Sequence, residues 1–185
     1  MPKELKYIQT IALLVTALIF LGIKNYPFAR SPAADSAVNS ASPVFYNVTR
    51  VVDGDTLKLS SGERVRLIGV DTPEVHYSNK LLRDSNKSGK DIKTIQSLGA
   101  RASKFTKDLC LGRRVRLEYD IARHDRYGRI LAYVYLEDGT FVNAKIIEEG
   151  YGQIITVPPN VKYVEYFRKL EKESREGNKG LWKFQ

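Results

Sequence analysis

Cysteine and histidine are almost missing from this 185-residue chain, which has Cys110 alone and only His76 and His124. A single cysteine excludes an intramolecular disulfide, and three candidate ligands of this kind are too few for a structural zinc centre. Cys110 reads instead as a small buried apolar residue at the end of a helix. There is no internal repeat, which sets aside solenoids and propellers. Acidic excess is lacking too: from Val44 to Gln185 there are 26 lysines and arginines against 19 aspartates and glutamates, a net charge of +7. A domain of that charge suits anionic partners such as nucleic acid, anionic lipid or acidic polysaccharide.

Long apolar runs are confined to one place. Ile8 to Ile23 is interrupted only by Gln9, Thr10 and Thr16, and Lys3 and Lys6 precede it. As a helix it would span about 24 Å, short for a membrane crossing and slightly long for a signal-peptide core. The basic residues ahead of it favour a cytoplasmic N-terminus and an exported remainder. Residues 1–23 are therefore expected to be either a cleaved signal peptide, with Ala33 a possible cleavage point, or an uncleaved membrane anchor facing the domain outward. Residues 24–43, with three prolines, five alanines and four serines, read as a flexible linker. The folded domain is expected over 44–185, long enough to be stable without staples.

Within it, β-rich runs fall at 44–52, 56–59, 65–70, 115–119 and 130–136, separated by turn signals such as Asp53-Gly54-Asp55 and Ser60-Ser61-Gly62. Helical spacing appears over about 97–110, in 141–149 and around Tyr163, Phe167, Leu170 and Ser174. Residues 75–97 read as a long polar loop with at most one helical turn near Leu81. Its basic residues are Lys80, Arg83, Lys87, Lys90 and Lys93, with His76 joining on protonation. Five short strands with interspersed helices point to an α+β fold built on a small barrel.

The stretch VRLIGVDTPE, Val65 to Glu74, carries most of the chemistry. A charged Arg66 inside an apolar strand is expensive unless something answers it. Asp71 and Glu74 stand at the strand's end, and a three-strand meander brings the Asp55 turn to the same edge. Oxygen-only ligands favour a hard cation. Arg66 and Arg129, which follows a Tyr-Gly turn, make a phosphate clamp with bidentate reach. A cation, two arginines and a base are the parts phosphodiester hydrolysis needs.

DGDT at 53–56, VRLIGVDTPE at 65–74, DRYGRILAYVY at 125–135 and GLW at 180–182 resemble the thermonuclease (staphylococcal nuclease) family. The resemblance runs from Val44 to Trp182. It implies a five-stranded OB-fold β-barrel with about three helices, and Ca²⁺-dependent endonucleolysis of DNA and RNA by a monomer, leaving 3′-phosphate ends. It implies further that Asp55 and Asp71 bind calcium with the Thr72 backbone carbonyl, Asp53 lying in the outer shell. Glu74 becomes the general base, Arg66 and Arg129 the catalytic arginines, and Tyr127 a tyrosine beside the nucleotide phosphate. One departure stands out. Ile155 and Val157 occupy the place of two tyrosines that pack on the nucleotide, with Tyr151 or Tyr163 as candidate substitutes. A non-catalytic nucleic-acid-binding module on the same barrel is the alternative, and loss of an arginine or acid would mark it, but all are present; a basic cell-surface binder of acidic polymer is a third reading.

Overall fold

The computed structural model describes residues 43–76 and 78–184. The expected signal or anchor at 1–23, and the linker at 24–43 apart from its last residue, lie outside them. Five strands close into a barrel in the order β1-β2-β3-β6-β5. They are β1 (Tyr46–Asp53), β2 (Thr56–Leu59), β3 (Arg64–Leu67), β5 (Arg114–Glu118) and β6 (Ile130–Leu136). Two short strands, β4 (Val70–Asp71) and β7 (Gln153–Ile154), pair as a separate ribbon. The α+β, OB-fold architecture expected from the sequence is the one observed.

Strand alternation explains the closure. Val48, Leu57, Leu59, Val65, Leu67, Val115, Ala132, Val134 and Leu136 are all nearly inaccessible to solvent and fill the interior. Their neighbours along β3 and β5 are more exposed, as alternation requires, whereas Tyr133 of β6 is buried on the other face against Phe141, Tyr163 and Phe167. All barrel pairings are antiparallel except β3 with β6, which run parallel with Val65 opposite Ile130 and Arg66 opposite Leu131. That pairing brings Arg66 and the start of β6, just after Arg129, to one end of the barrel.

The strand expected over 65–70 is broken. β3 stops at Leu67, and Gly69 turns the chain at φ +79°, where a Cβ would lie 2.6 Å from the Phe167 ring. Only glycine fits both that backbone conformation and that contact. Buried Asn143 brackets the turn, accepting from the Val134 N–H at 2.9 Å and donating to the Ile68 carbonyl at 2.8 Å. The Asp71 end of VRLIGVDTPE therefore belongs to β4 and is re-aimed relative to Arg66.

Among the described residues there are four α-helices rather than about three: α1 (Asn79–Ser88), α2 (Ile92–Cys110), α3 (Val142–Glu148) and α4 (Val164–Glu176), followed by a 3₁₀ turn at Gly180–Phe184. The extra one corrects the loop expected at 75–97. Ser78 caps α1 by accepting from the Leu81 N–H at 3.1 Å, and Gly89 ends it at φ +69° with its N–H on the Ser85 carbonyl. Leu81 is fully buried and anchors the helix. Asp91 caps α2 five residues ahead of the expected start, accepting from the Thr94 N–H at 3.0 Å. None of the described helices is long and apolar enough to cross a membrane. Cys110 is fully buried at the end of α2, and burial pushes its thiol up to about 12.

Candidate active site

A cleft of about 830 Å³ opens at the barrel end where β3 and β6 run side by side, and Asp53, Asp55, Arg66, Asp71, Glu74, Tyr127 and Arg129 all line it. Each side chain expected to do chemistry is thus in one place. Thr72, expected to contribute only its backbone, lines the neighbouring groove with Asp71 and Pro73.

The inner wall is a buried electrostatic knot. Asp55 follows the β1–β2 turn and is 6% exposed. Its Oδ2 accepts from the Thr72 N–H at 3.2 Å and the Thr72 hydroxyl at 3.1 Å, and its Oδ1 from the Thr56 hydroxyl at 3.0 Å. Arg66 Nη1 lies 3.2 Å from that Oδ2 and donates to the Val70 carbonyl at 2.6 Å, while Nη2 reaches Asp71 Oδ1 at 3.4 Å. One guanidinium therefore answers both acids, which explains why a charge is tolerated in an apolar strand.

The outer wall is a turn. Asp125 accepts at Oδ1 from the backbone N–H of Tyr127 (2.9 Å) and Arg129 (3.0 Å), and at Oδ2 from Arg129 Nε at 2.7 Å. Burial works against its charge, but these bonds outweigh it and hold the Asp125 carboxyl below its ordinary value. With Nε taken, both Nη groups of Arg129 lack a hydrogen bond among the described residues. Tyr127 is 62% exposed, with the Arg126 guanidinium 4.8 Å and the Arg129 guanidinium 5.5 Å from its ring centre.

Helix α2 fixes the two loops that carry acids. The Thr106 hydroxyl donates to the Gly54 carbonyl at 2.7 Å, holding the Asp53–Asp55 turn. Gln96 Nε2 donates to the Val75 carbonyl at 3.1 Å, next to Glu74. Between them a Cβ on Gly99 would meet the Pro73 and Glu74 carbonyl oxygens at 2.7 Å, so the helix lies directly against that backbone. Residues 96, 99 and 106 share one helical face.

Several contributors were missed by sequence reasoning. Asp125, Arg126, Asp84 and Asn160 also line the cleft, together with Arg83, which the sequence had singled out among the basic residues of 75–97. Asn160 is buried and exchanges two hydrogen bonds of 2.8 Å with the Ala122 backbone, tying the 155–160 loop to the turn that bears Arg129. The four-residue spacing of Asp125 and Arg129 was the available signal for the first. Ile155 and Val157 line the cleft where nucleotide-packing tyrosines were expected. Neither proposed substitute does: Tyr151 stacks on Phe105 at 4.3 Å, and the Tyr163 hydroxyl bonds Glu118 at 2.9 Å. Both rings are occupied by the fold. Of the basic residues in 75–97, Arg83 lines this cleft, whereas Lys90 donates to the Phe184 carbonyl at 3.2 Å.

Comparison with known proteins agrees with this arrangement. The family model described as staphylococcal nuclease homologue matches residues 64–184. The chain is 38% identical to the thermonuclease of Staphylococcus intermedius, over 98% of its own length and 99% of the relative's. It is 35% identical to the thermonuclease of Staphylococcus hyicus, over 96% and 99% of the two chains. It also resembles endonuclease YncB of Bacillus subtilis, at 36% identity over 74% of this chain and 61% of that one. The chain belongs to the staphylococcal nuclease family.

Proposed function

We propose that this protein is a phosphodiesterase, an endonuclease that hydrolyses DNA and RNA and leaves 3′-phosphate ends. The observation that carries the proposal is the convergence of Arg66, Arg129, two carboxylates and Glu74 on one cleft. Family membership and the thermonuclease relatives support it.

Arg129 offers both Nη groups to the non-bridging oxygens of a phosphate, and Arg66 adds a second guanidinium from the inner wall. Both stabilise charge that grows as phosphorus becomes five-coordinate. Glu74 accepts a proton from the attacking water, whose oxygen bonds to phosphorus as the 5′-oxygen departs. Tyr127, exposed beside Arg129, packs along the phosphate.

The donor chemistry supports a resident calcium ion. Asp55, Asp71 and the Thr72 carbonyl would hold it, with Asp53 behind them. These are oxygen donors only, suited to a hard cation whose remaining positions fall to water and substrate. Among the described residues no group of three or more acidic, histidine or cysteine side chains gathers closely enough to hold a metal ion by itself. When bound, the ion supplies fixed positive charge to the phosphate oxygens. Export, with residues 1–23 cleaved or retained as an anchor, belongs to the same proposal and rests on the sequence alone.

Plasmid DNA incubated with the purified full chain tests the activity. It should be cut with Ca²⁺ and survive in chelator, and the fragments should be ligated only after their 3′-phosphates are removed. Intact plasmid under both conditions would defeat the nuclease reading.

A further inference from the structure

Four arginines line the cleft, and three already have protein partners. Arg66 bonds Asp55, Asp71 and the Val70 carbonyl; Arg129 bonds Asp125; Arg126 reaches the Tyr127 hydroxyl at 2.6 Å. Arg83 differs. It is exposed on α1, lines the cleft, and its side chain makes no hydrogen bond or ion pair among the described residues.

The helix beneath it is firmly held. Leu81 is fully buried, Ser78 and Gly89 cap the two ends, and the Ser85 hydroxyl donates to the Lys90 carbonyl at 2.7 Å. Lys90 in turn reaches the Phe184 carbonyl, tying the end of α1 to the C-terminal turn. A cation carried on an anchored helix loses mainly side-chain freedom when it contacts a ligand. Arg66 lies on β3 and Arg129 in the turn that leads into the adjacent β6, whereas Arg83 comes from a separate wall of the same cleft.

We propose that Arg83 contacts a backbone phosphate other than the one held by Arg66 and Arg129, making α1 a second wall of a polynucleotide track. This rests on the nucleic-acid reading given above. The ligand class is a strand with at least two phosphates. Asp84 lines the cleft beside Arg83 and repels anions. The contact is therefore modest and sensitive to salt.

The test uses the full chain, a short fluorescein-labelled single-stranded DNA, and chelator to prevent cleavage. Arg83→Ala should weaken binding about threefold at moderate salt and flatten the plot of log affinity against log salt by about 0.7. Arg83→Lys should recover most of the slope. Arg168→Ala, which alters an exposed arginine on α4, should change neither quantity. A nucleoside monophosphate, with one phosphate, should bind the wild type and Arg83→Ala equally. An unchanged slope in Arg83→Ala overturns the proposal, and so does an equal loss of monophosphate affinity, which would put Arg83 on the shared phosphate. If the wild type binds DNA with the predicted Arg83 dependence but cleaves nothing, the nuclease reading fails and this one stands.

Discussion

Arg66 and Arg129 face the same cleft but are held in opposite ways. Arg66 is built into the barrel: its partners come from two separate segments, Asp55 from the β1–β2 turn and Val70 and Asp71 from β4, and its side chain is 15% exposed. Arg129 is built into a local turn, where Asp125 collects two backbone N–H groups and one guanidinium within five residues. The first is part of what keeps Asp55 tolerable in the interior. The second can be removed while Asp125 keeps its backbone donors. Loss of function and loss of fold should therefore separate at one arginine and coincide at the other.

The largest effect is expected for Arg66→Ala. Hydrolysis should fall by about a thousandfold, and stability by about 2 kcal/mol, because Asp55 would stay buried without its counter-charge. Single-turnover rates and urea unfolding check both. Arg129→Ala should cost about a hundredfold or more in rate and no more than about 1 kcal/mol in stability. If the two variants unfold at the same urea concentration, the contrast between barrel-held and turn-held arginines is wrong.

A milder change reaches the acids through their support. Gly99→Ala places a methyl 2.7 Å from the Pro73 and Glu74 carbonyls, so that backbone must move. The turnover rate should drop about tenfold or more from misplacement of Glu74, with DNA affinity in chelator retained. A loss of affinity with unchanged turnover would show that α2 supports binding rather than the base.

The smallest effect concerns pH. The Asp125 carboxyl lies below its ordinary 3.8 in the folded protein, so it contributes stability above that value and loses the contribution as pH falls through its folded value. Asp125→Asn should lower the Tm at neutral pH, and the gap should close below about pH 4. A gap that widens in acid would reverse the assignment.

Much of this was legible in the sequence. The barrel strands announced themselves by alternation, and Arg66 by its cost within an apolar strand. The acids were legible as a group because turns and strand ends share an edge. The α1 helix was not. Its ten residues include only two apolar ones, so periodicity was silent, although Ser78 and Gly89 stand at its ends as caps. Asn143 and Asn160 were equally hidden. Each satisfies backbone groups distant in sequence, and no local pattern marks such a partner. The parallel pairing of β3 with β6 was invisible too, since alternation reveals which face is buried but not which strand lies alongside.

That parallel seam also governs when the protein can act. Val65 and Ile130 meet although they stand 65 positions apart in the chain, and closing so long a loop comes late in folding. Before it closes, the acids and the second arginine are strangers in a flexible polymer. An extended chain thus carries all of the cleft's side chains and none of the cleft. Latency of the unfolded chain is written into the topology.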